Sequence, residues 1–194
     1  MKTDSLLEVI QVQRHDFLNH LQVISGLLQL NKGERVRDYI IKVCGDYEKL
    51  SRITRLKSPD IKAVLLIAAN EAAKKQVELV YDIQSDLSSL GVSSEIAGSA
   101  LERSINHGLK YLTPMDIHER VMKLTISESE RKVSFKLCFS VLSSEVTQDI
   151  KEQMDLSHWL EPYNSSSKLA VTEKEAEIYL IFPKKQSEER PTGK

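Results

Sequence analysis

Hydrophobic residues recur along the first third of the chain with the period of an α-helix. One series has spacings of three and four residues, and six of its seven positions are apolar: Leu7, Ile10, Arg14, Phe17, Leu21, Ile24 and Leu28. A second series follows the polar stretch from Asn31 to Gly33: Val36, Ile40, Val43, Tyr47, Leu50, Ile53 and Leu56. Heptad spacing of this kind predicts two helices. Because the connection is short, we expect an antiparallel helical hairpin.

This hairpin carries more apolar surface than two helices can bury between themselves. A fully buried Leu, Ile or Phe stabilises a protein by roughly 1.5–3 kcal/mol. A stripe of such residues left in water therefore loses a large part of the free energy that its burial would contribute. Pairing of two copies into a four-helix bundle covers both stripes, and we therefore expect a homodimer. The alternative is that the hairpin packs against the C-terminal half of its own chain.

After Ser58 and Pro59 the pattern changes to a mixture of helices and strands. Helices are predicted at 61–75, 93–112 and 145–154, and strands at 77–82, 120–127, 132–142 and 177–182. The predicted fold class is thus α + α/β: a helical hairpin followed by a mixed α/β sandwich. We expect the hairpin to occupy 1–58, the α/β domain 59–183 and a disordered polar tail 184–194.

The composition narrows the class of protein. The chain of 194 residues is 41% hydrophobic and 28% charged, and its 7 glycines and 5 prolines favour long helices over a loop-rich β fold. With a formal net charge of −1, the chain lacks the overall positive charge that is typical of nucleic-acid-binding proteins. The longest apolar run, 63–69, is far short of the roughly 20 residues that span a bilayer. With only two cysteines, Cys44 and Cys138, we expect a cytoplasmic protein without a membrane partner.

The candidate chemistry lies on the first predicted helix. His15 falls just beside the apolar seam and is expected to face solvent, and three polar residues share its face: Gln11, Asn19 and Gln22. An exposed imidazole on a rigid helix suits transfer of a phosphoryl group between proteins, because it is a neutral nucleophile near pH 7. The alternative is an inert surface histidine. Arg14 on the seam is either a register-setting polar residue of the bundle or part of a phosphate site.

The segment Arg14-His15-Asp16-Phe17-Leu18-Asn19-His20-Leu21-Gln22 resembles a known phosphoacceptor motif, Arg-His-Asp-aromatic-x-Asn-x-Leu-Gln. This motif is found in the sporulation initiation phosphotransferase B family and in the related citrate/dicarboxylate-type sensor histidine kinases. The resemblance implies a hairpin that dimerises into a four-helix bundle, with His15 as the catalytic phosphoacceptor. It also implies that Arg14, Asp16 and Asn19 line the site to which a response regulator receiver domain brings its aspartate and Mg²⁺.

The second half of the chain departs from the kinases of this group. Their ATP-binding domain carries Asn-x-x-x-Asn-Ala-x-Lys-Tyr on a helix that corresponds to 103–111 here. Lys110 and Tyr111 match, whereas Arg103 and His107 stand in place of the two asparagines, and Asn106 is one position off. The Asp-x-Gly-x-Gly motif expected after Val141 is missing. The resemblance therefore implies a degenerate kinase-like domain that keeps the fold and lacks the nucleotide site.

These observations predict a phosphorelay phosphotransferase without a cofactor of its own. His15 is expected to take a phosphoryl group from the aspartate of one response regulator and pass it to the aspartate of a second. The resemblance implies a role in control of sporulation initiation, with Mg²⁺ supplied by the receiver. Two alternatives stay open: a non-enzymatic dimeric binding module for a kinase or regulator, and an ATP-dependent histidine kinase with an atypical nucleotide site.

Overall fold

The computed structural model describes residues 2–112, 120–141, 154–172 and 174–185. The helices are α1 (Lys2–Gln29), α2 (Gly33–Thr54), α3 (Pro59–Lys74), α4 (Ser94–Tyr111) and the one-turn α5 (Ser157–Leu160), which continues into a 3₁₀ turn (Glu161–Tyr163). The strands are β1 (Glu78–Ile83), β2 (Val121–Glu128), β3 (Lys132–Ser140), β4 (Ser166–Val171) and β5 (Glu175–Pro183). The predicted fold class, helices followed by a mixed α/β sandwich, is confirmed. The helix expected at 145–154 lies outside the described residues except for Met154.

The helical hairpin forms as the heptad pattern predicts. Asn31 adopts the left-handed conformation (φ 52°), which ends α1 and reverses the chain. Its backbone N–H donates to the Leu28 carbonyl at 2.9 Å, and the Lys32 N–H donates to the Leu27 carbonyl at 3.0 Å. These bonds satisfy carbonyl groups that the end of a helix leaves free. The helix α2 then runs back along α1 from Gly33.

In the described part of the chain the sheet has five strands in the order β1-β2-β3-β5-β4. The strands β1 and β2 are parallel, and the other neighbours are antiparallel. Alternate side chains of β2, β3 and β5 form the buried face: Met122, Leu124, Ile126, Val133, Phe135, Leu137, Phe139, Ala176, Ile178, Leu180 and Phe182. The helices α3 and α4 contribute the other side of this core. The α/β region therefore closes its hydrophobic core within one chain.

Gly108 allows α4 to lie unusually close to the sheet. A methyl group at this position would collide with Met122 Cε and stand 3.2 Å from Phe139 Cε1. The kinase motif carries alanine here. The glycine is therefore matched to a closer approach of helix and sheet than an alanine permits.

The base of the hairpin is built into the α/β region. Ile53 in the last turn of α2 and Leu56 just after it are 0% and 1% exposed and belong to the same hydrophobic core as the sheet. The adjoining Lys57 pairs with Asp86 at 2.9 Å. Further along α1, Glu8 forms an ion pair with Lys74 of α3 at 2.7 Å. Packing of the hairpin against its own chain, the alternative to dimerisation, thus describes the base of the hairpin.

Most of the predicted seam on α1 is exposed to solvent. Five of its residues on α1 are between 47% and 60% exposed: Leu7, Ile10, Phe17, Leu21 and Leu28. A continuous stripe of large apolar side chains in water is unusual and indicates a surface that another element covers. The homodimer is compatible with this arrangement and stays a prediction. Among the described residues no helix is both long and apolar enough to cross a membrane.

Two parts of the fold differ from the sequence-based expectation. The strand β4 and the one-turn α5 were not predicted, because their short segments show no clear periodicity. The tail was expected to begin at 184, but Lys184 forms an isolated bridge with Leu90, and the Lys185 N–H donates to the Ser89 carbonyl at 2.8 Å. Residues 186–194 lie outside the described residues.

Candidate functional site

His15 lies in the middle of α1 with its side chain in water. The side chain is 74% exposed, as its position beside the heptad seam predicts. Because α1 continues for two or more turns on both sides, the backbone under this imidazole is held by helical hydrogen bonds. The helix thus presents a titratable nucleophile on a firm and accessible surface.

Two polar side chains lie next to the same ring nitrogen of His15. Asn19 Nδ2 is 3.0 Å from His15 Nδ1, as expected for residues one turn apart. Asp16 Oδ1 is 3.7 Å from Nδ1, although neighbouring positions on a helix diverge by about 100°. The resemblance implies that Asp16 and Asn19 lie at the site of His15, and the structure brings all three side chains together.

This arrangement determines which nitrogen is suited to react. A neutral imidazole with its proton on Nδ1 carries its lone pair on Nε2. The nearby Asp16 carboxylate favours a proton on Nδ1 by electrostatic attraction. The Asn19 side chain accepts that proton through Oδ1 or donates through Nδ2, depending on how the amide is turned. With the amide turned so that Oδ1 accepts from Nδ1–H, both contacts hold the proton on Nδ1 and leave the Nε2 lone pair free for nucleophilic attack, whereas Nδ2 can donate only to a bare Nδ1.

Arg14 is exposed and occupies the one polar position of the apolar seam on α1. It precedes His15 directly, on the part of α1 that the hairpin itself does not cover. A guanidinium group here is accessible to an anionic group brought to His15 or to a second copy of the chain. The structure leaves both roles predicted for Arg14 open.

A shallow cleft of about 180 Å³ runs beside this site, between α1 and α2. Its walls are Gln13, Asp16 and His20 of α1 and Tyr47 and Leu50 of α2. His20 is not among the site residues that the sequence predicts. The three α1 residues of the cleft are spaced by three and four positions, which places them on one face of the helix. This spacing is the feature of the sequence that indicates the cleft. No cluster of three or more metal-binding side chains occurs within the described ranges.

The helix that resembles the kinase nucleotide motif makes contacts within its own domain. The Arg103 guanidinium carbon lies 5.0 Å from the centre of the Trp159 ring, a cation–π distance. Asn106 instead lines a groove that α4 forms with α3 and the start of α1. The one-residue offset turns Asn106 by about 100° around α4 from the position of the second kinase asparagine, which His107 occupies here.

The hairpin and the α/β region are each similar to proteins of known class. Residues 1–56 match the model of the alpha-helical domain of SpoOB-type sensor kinases. The fold of the α/β region is that of a histidine kinase catalytic domain. The catalytic domain of histidine kinase ThkA superposes with a TM-score of 0.52 at 11% identity, over 65% of this chain and 90% of that chain. At this identity the likeness shows the fold alone.

Individual relatives carry the similarity further. Sensor histidine kinase DcuS of Escherichia coli (strain K12) is 30% identical over 111 residues, which cover 55% of this chain and 20% of DcuS. Sporulation initiation phosphotransferase B of Bacillus subtilis (strain 168) is 36% identical over 59 residues, 30% of this chain and 31% of that protein. The resemblance inferred from the motif around His15 is confirmed. The chain is similar to two-component phosphotransfer proteins and sensor kinases, and it spans under a third of these two relatives.

Proposed function

We propose that this protein is a phosphotransferase of a two-component phosphorelay. His15 takes a phosphoryl group from the aspartyl phosphate of one response regulator receiver and passes it to the aspartate of a second. The observation that carries the proposal is the exposed His15 imidazole, with Asp16 and Asn19 at Nδ1, on a helix similar to those of SpoOB-type proteins. Similarity to sporulation initiation phosphotransferase B supports a role in sporulation control.

The transfer needs no nucleotide at this protein. The Nε2 lone pair of His15 attacks phosphorus, the P–N bond forms, and the P–O bond to the receiver's aspartate breaks, its electron pair leaving with the carboxylate. The ring then carries both the phosphoryl group and the Nδ1 proton, and hence a positive charge. The Asp16 carboxylate near Nδ1 stabilises that charge. Attack by the carboxylate of a second receiver reverses each step.

The remaining roles are assigned on chemical grounds. Arg14 supplies a positive charge to the phosphoryl oxygens during transfer, and Asn19 holds the imidazole ring. Mg²⁺ belongs to the receiver domain, so the chain contributes no cofactor of its own. Catalysis rests mainly on positioning the two reacting groups in line.

The proposed assembly is a homodimer. Two hairpins that pair through the exposed seam form a four-helix bundle and bury the apolar stripe of α1. His15 lies beside this seam, so dimerisation leaves it on the outer surface of the bundle. Residues 1–58 would then form the dimerisation and phosphoacceptor domain, and 59–183 a degenerate kinase-like domain.

The test is to mix the protein with a panel of phosphorylated receiver domains from its own organism. The expected result is an acid-labile, alkali-stable label on this chain that passes to a second receiver. His15→Ala should abolish it, and His158→Ala is the matched control, because His158 is a fully exposed histidine on α5. Label from ATP alone would identify a kinase instead. No label from either source would favour the non-enzymatic binding module.

A further inference from the structure

Polar side chains make specific contacts in the middle of the hairpin, where the described apolar side chains are at most half-buried. The most deeply buried apolar residues that α1 and α2 contribute lie toward the two ends of the hairpin: Val9, Ile53 and Leu56 near its base, and Val36 near its turn. Between these levels α1 presents Gln13, Asp16 and His20 to the cleft beside α2. The alignment of the two helices next to His15 therefore depends on what these polar residues contact.

His20 makes the specific contacts at this level. Its ring is half-buried, and its Nδ1 lies 2.9 Å from the Tyr39 hydroxyl of α2. The ring centre is 5.8 Å from that of Tyr39 and 6.5 Å from that of Tyr47. These two tyrosines are about two turns apart on α2. A side chain held between residues two turns apart on the facing helix fixes both the rotation and the axial position of its own helix.

The position of His20 determines where His15 points. The two histidines are five residues apart, which corresponds to about 140° around the helix. When His20 faces α2, His15 consequently faces outward. The hydrogen bond to Tyr39 forms with either neutral tautomer of His20, because the hydroxyl group donates to a bare nitrogen or accepts from an N–H.

We infer that His20 and Tyr39 are positioning residues, which set the rotation of α1 against α2 so that His15 is aligned for an incoming receiver. This inference rests on the proposed function. A receiver bound over His15 has a footprint of about 800 Å² and rests on α1 and its surroundings together. In-line transfer is sensitive to small displacements, since a misplacement of about 1 Å can slow a reaction a hundredfold.

The test compares two phosphoryl donors in two tyrosine variants. Phosphoramidate, a small molecule, labels His15 directly and depends on groups of α1 alone. A phosphorylated receiver, titrated to saturation, separates the maximal transfer rate from the half-saturating concentration. Tyr39→Phe removes the hydroxyl group and keeps the ring. Tyr47→Phe is the matched control, because His20 meets Tyr47 through its ring.

Tyr39→Phe should lower the maximal transfer rate from the receiver roughly three- to tenfold, the range for loss of one hydrogen bond. The half-saturating concentration and labelling by phosphoramidate should stay near those of the native protein, and the melting temperature should fall by no more than about 2–4 °C. Tyr47→Phe should match the native protein in every readout. His20→Gln, whose amide can bond to the Tyr39 hydroxyl, should transfer faster than His20→Ala.

The outcomes separate this inference from the proposed function. If the native protein transfers and Tyr39→Phe transfers equally fast, the positioning role is wrong. A parallel fall in labelling by phosphoramidate would also overturn it, because the defect would then lie in the nucleophile itself. If phosphoramidate labels His15 and no receiver does, the proposed function fails, and the positioning role falls with it.

Discussion

The two halves of the chain place their apolar surface differently. In the α/β region, alternate side chains of the central strands are buried under α3 and α4 of the same chain. In the hairpin, five apolar seam residues of α1 remain between 47% and 60% exposed. The α/β region therefore covers its apolar face with its own chain, whereas the hairpin leaves an apolar face in water. The candidate nucleophile, His15, lies on the hairpin. In the α/β region, Arg103 of the helix that resembles the kinase nucleotide motif contacts the Trp159 ring of its own domain.

The largest effect should come from opening the closed core. Phe135 is completely buried, and its ring centre is 5.1 Å from that of Phe182. Phe135→Ala should reduce the free energy of unfolding by about 3–5 kcal/mol, through lost burial and the cavity left behind. The measurement is urea denaturation at a concentration at which the protein is monomeric. Phe17→Ala, at a site 52% exposed, should then change it by less than about 0.5 kcal/mol. Equal losses of unfolding free energy in the two variants would contradict the difference in burial between the α/β region and the hairpin.

A charge on the exposed seam should act on assembly rather than on folding. Leu21→Asp would place a carboxylate in the proposed dimer interface. We expect the dissociation constant of the dimer to rise at least about a hundredfold, or 2.7 kcal/mol, with little change in helix content. Sedimentation velocity and circular dichroism measure the two quantities. Gln22→Asp, about 100° further around α1, is the control. A native protein that stays monomeric at high concentration would contradict the prediction.

Two glycines offer a matched comparison of the regions. Gly108→Ala introduces the alanine of the kinase motif, and the added methyl collides with Met122. We expect a loss of about 1–3 kcal/mol in unfolding free energy. At Gly26 of α1 no atom lies within 4 Å of the added methyl. Gly26→Ala should therefore stabilise the helix by up to about 1 kcal/mol. Chemical denaturation gives both values, and a harmless Gly108→Ala would show that α4 can shift from the sheet.

The smallest effect concerns acid stability of the closed half. The Lys184 ammonium and then the Ser85 hydroxyl lower the pKa of Glu128 from 4.5 to about 2. Because this pKa is lower in the folded state, the ionised carboxylate stabilises the fold fully above pH about 5, and this contribution is lost as the pH falls through 4.5 towards 2. Glu128→Gln should cost at most about 1 kcal/mol at pH 7. Thermal melts from pH 7 to 2 should converge for the two proteins, and a constant difference would contradict the assignment.

Periodicity predicted most of the fold and part of the site. Long helices and the strands that alternate cleanly are encoded locally, so α1, α2, β2 and β3 followed from the sequence. The strand β4 did not, because its inward position at Ser167 is polar and its pairing with β5 supplies the missing signal. The exposure of His15 was predicted from its place in the heptads. The contact of His20 with Tyr39 was not, since it depends on how the two helices rotate against each other.

The burial of Ile53 and Leu56 shows that the helical unit defined by sequence similarity differs from the unit defined by packing. By similarity, the helical unit ends at residue 56. Because both side chains are enclosed by the α/β core, we expect the end of α2 to unfold together with the sheet. A hairpin cut at its homology boundary would carry two large apolar side chains with nothing to cover them. The unit that is recognised by descent and the unit that melts as one thus overlap by a helical turn.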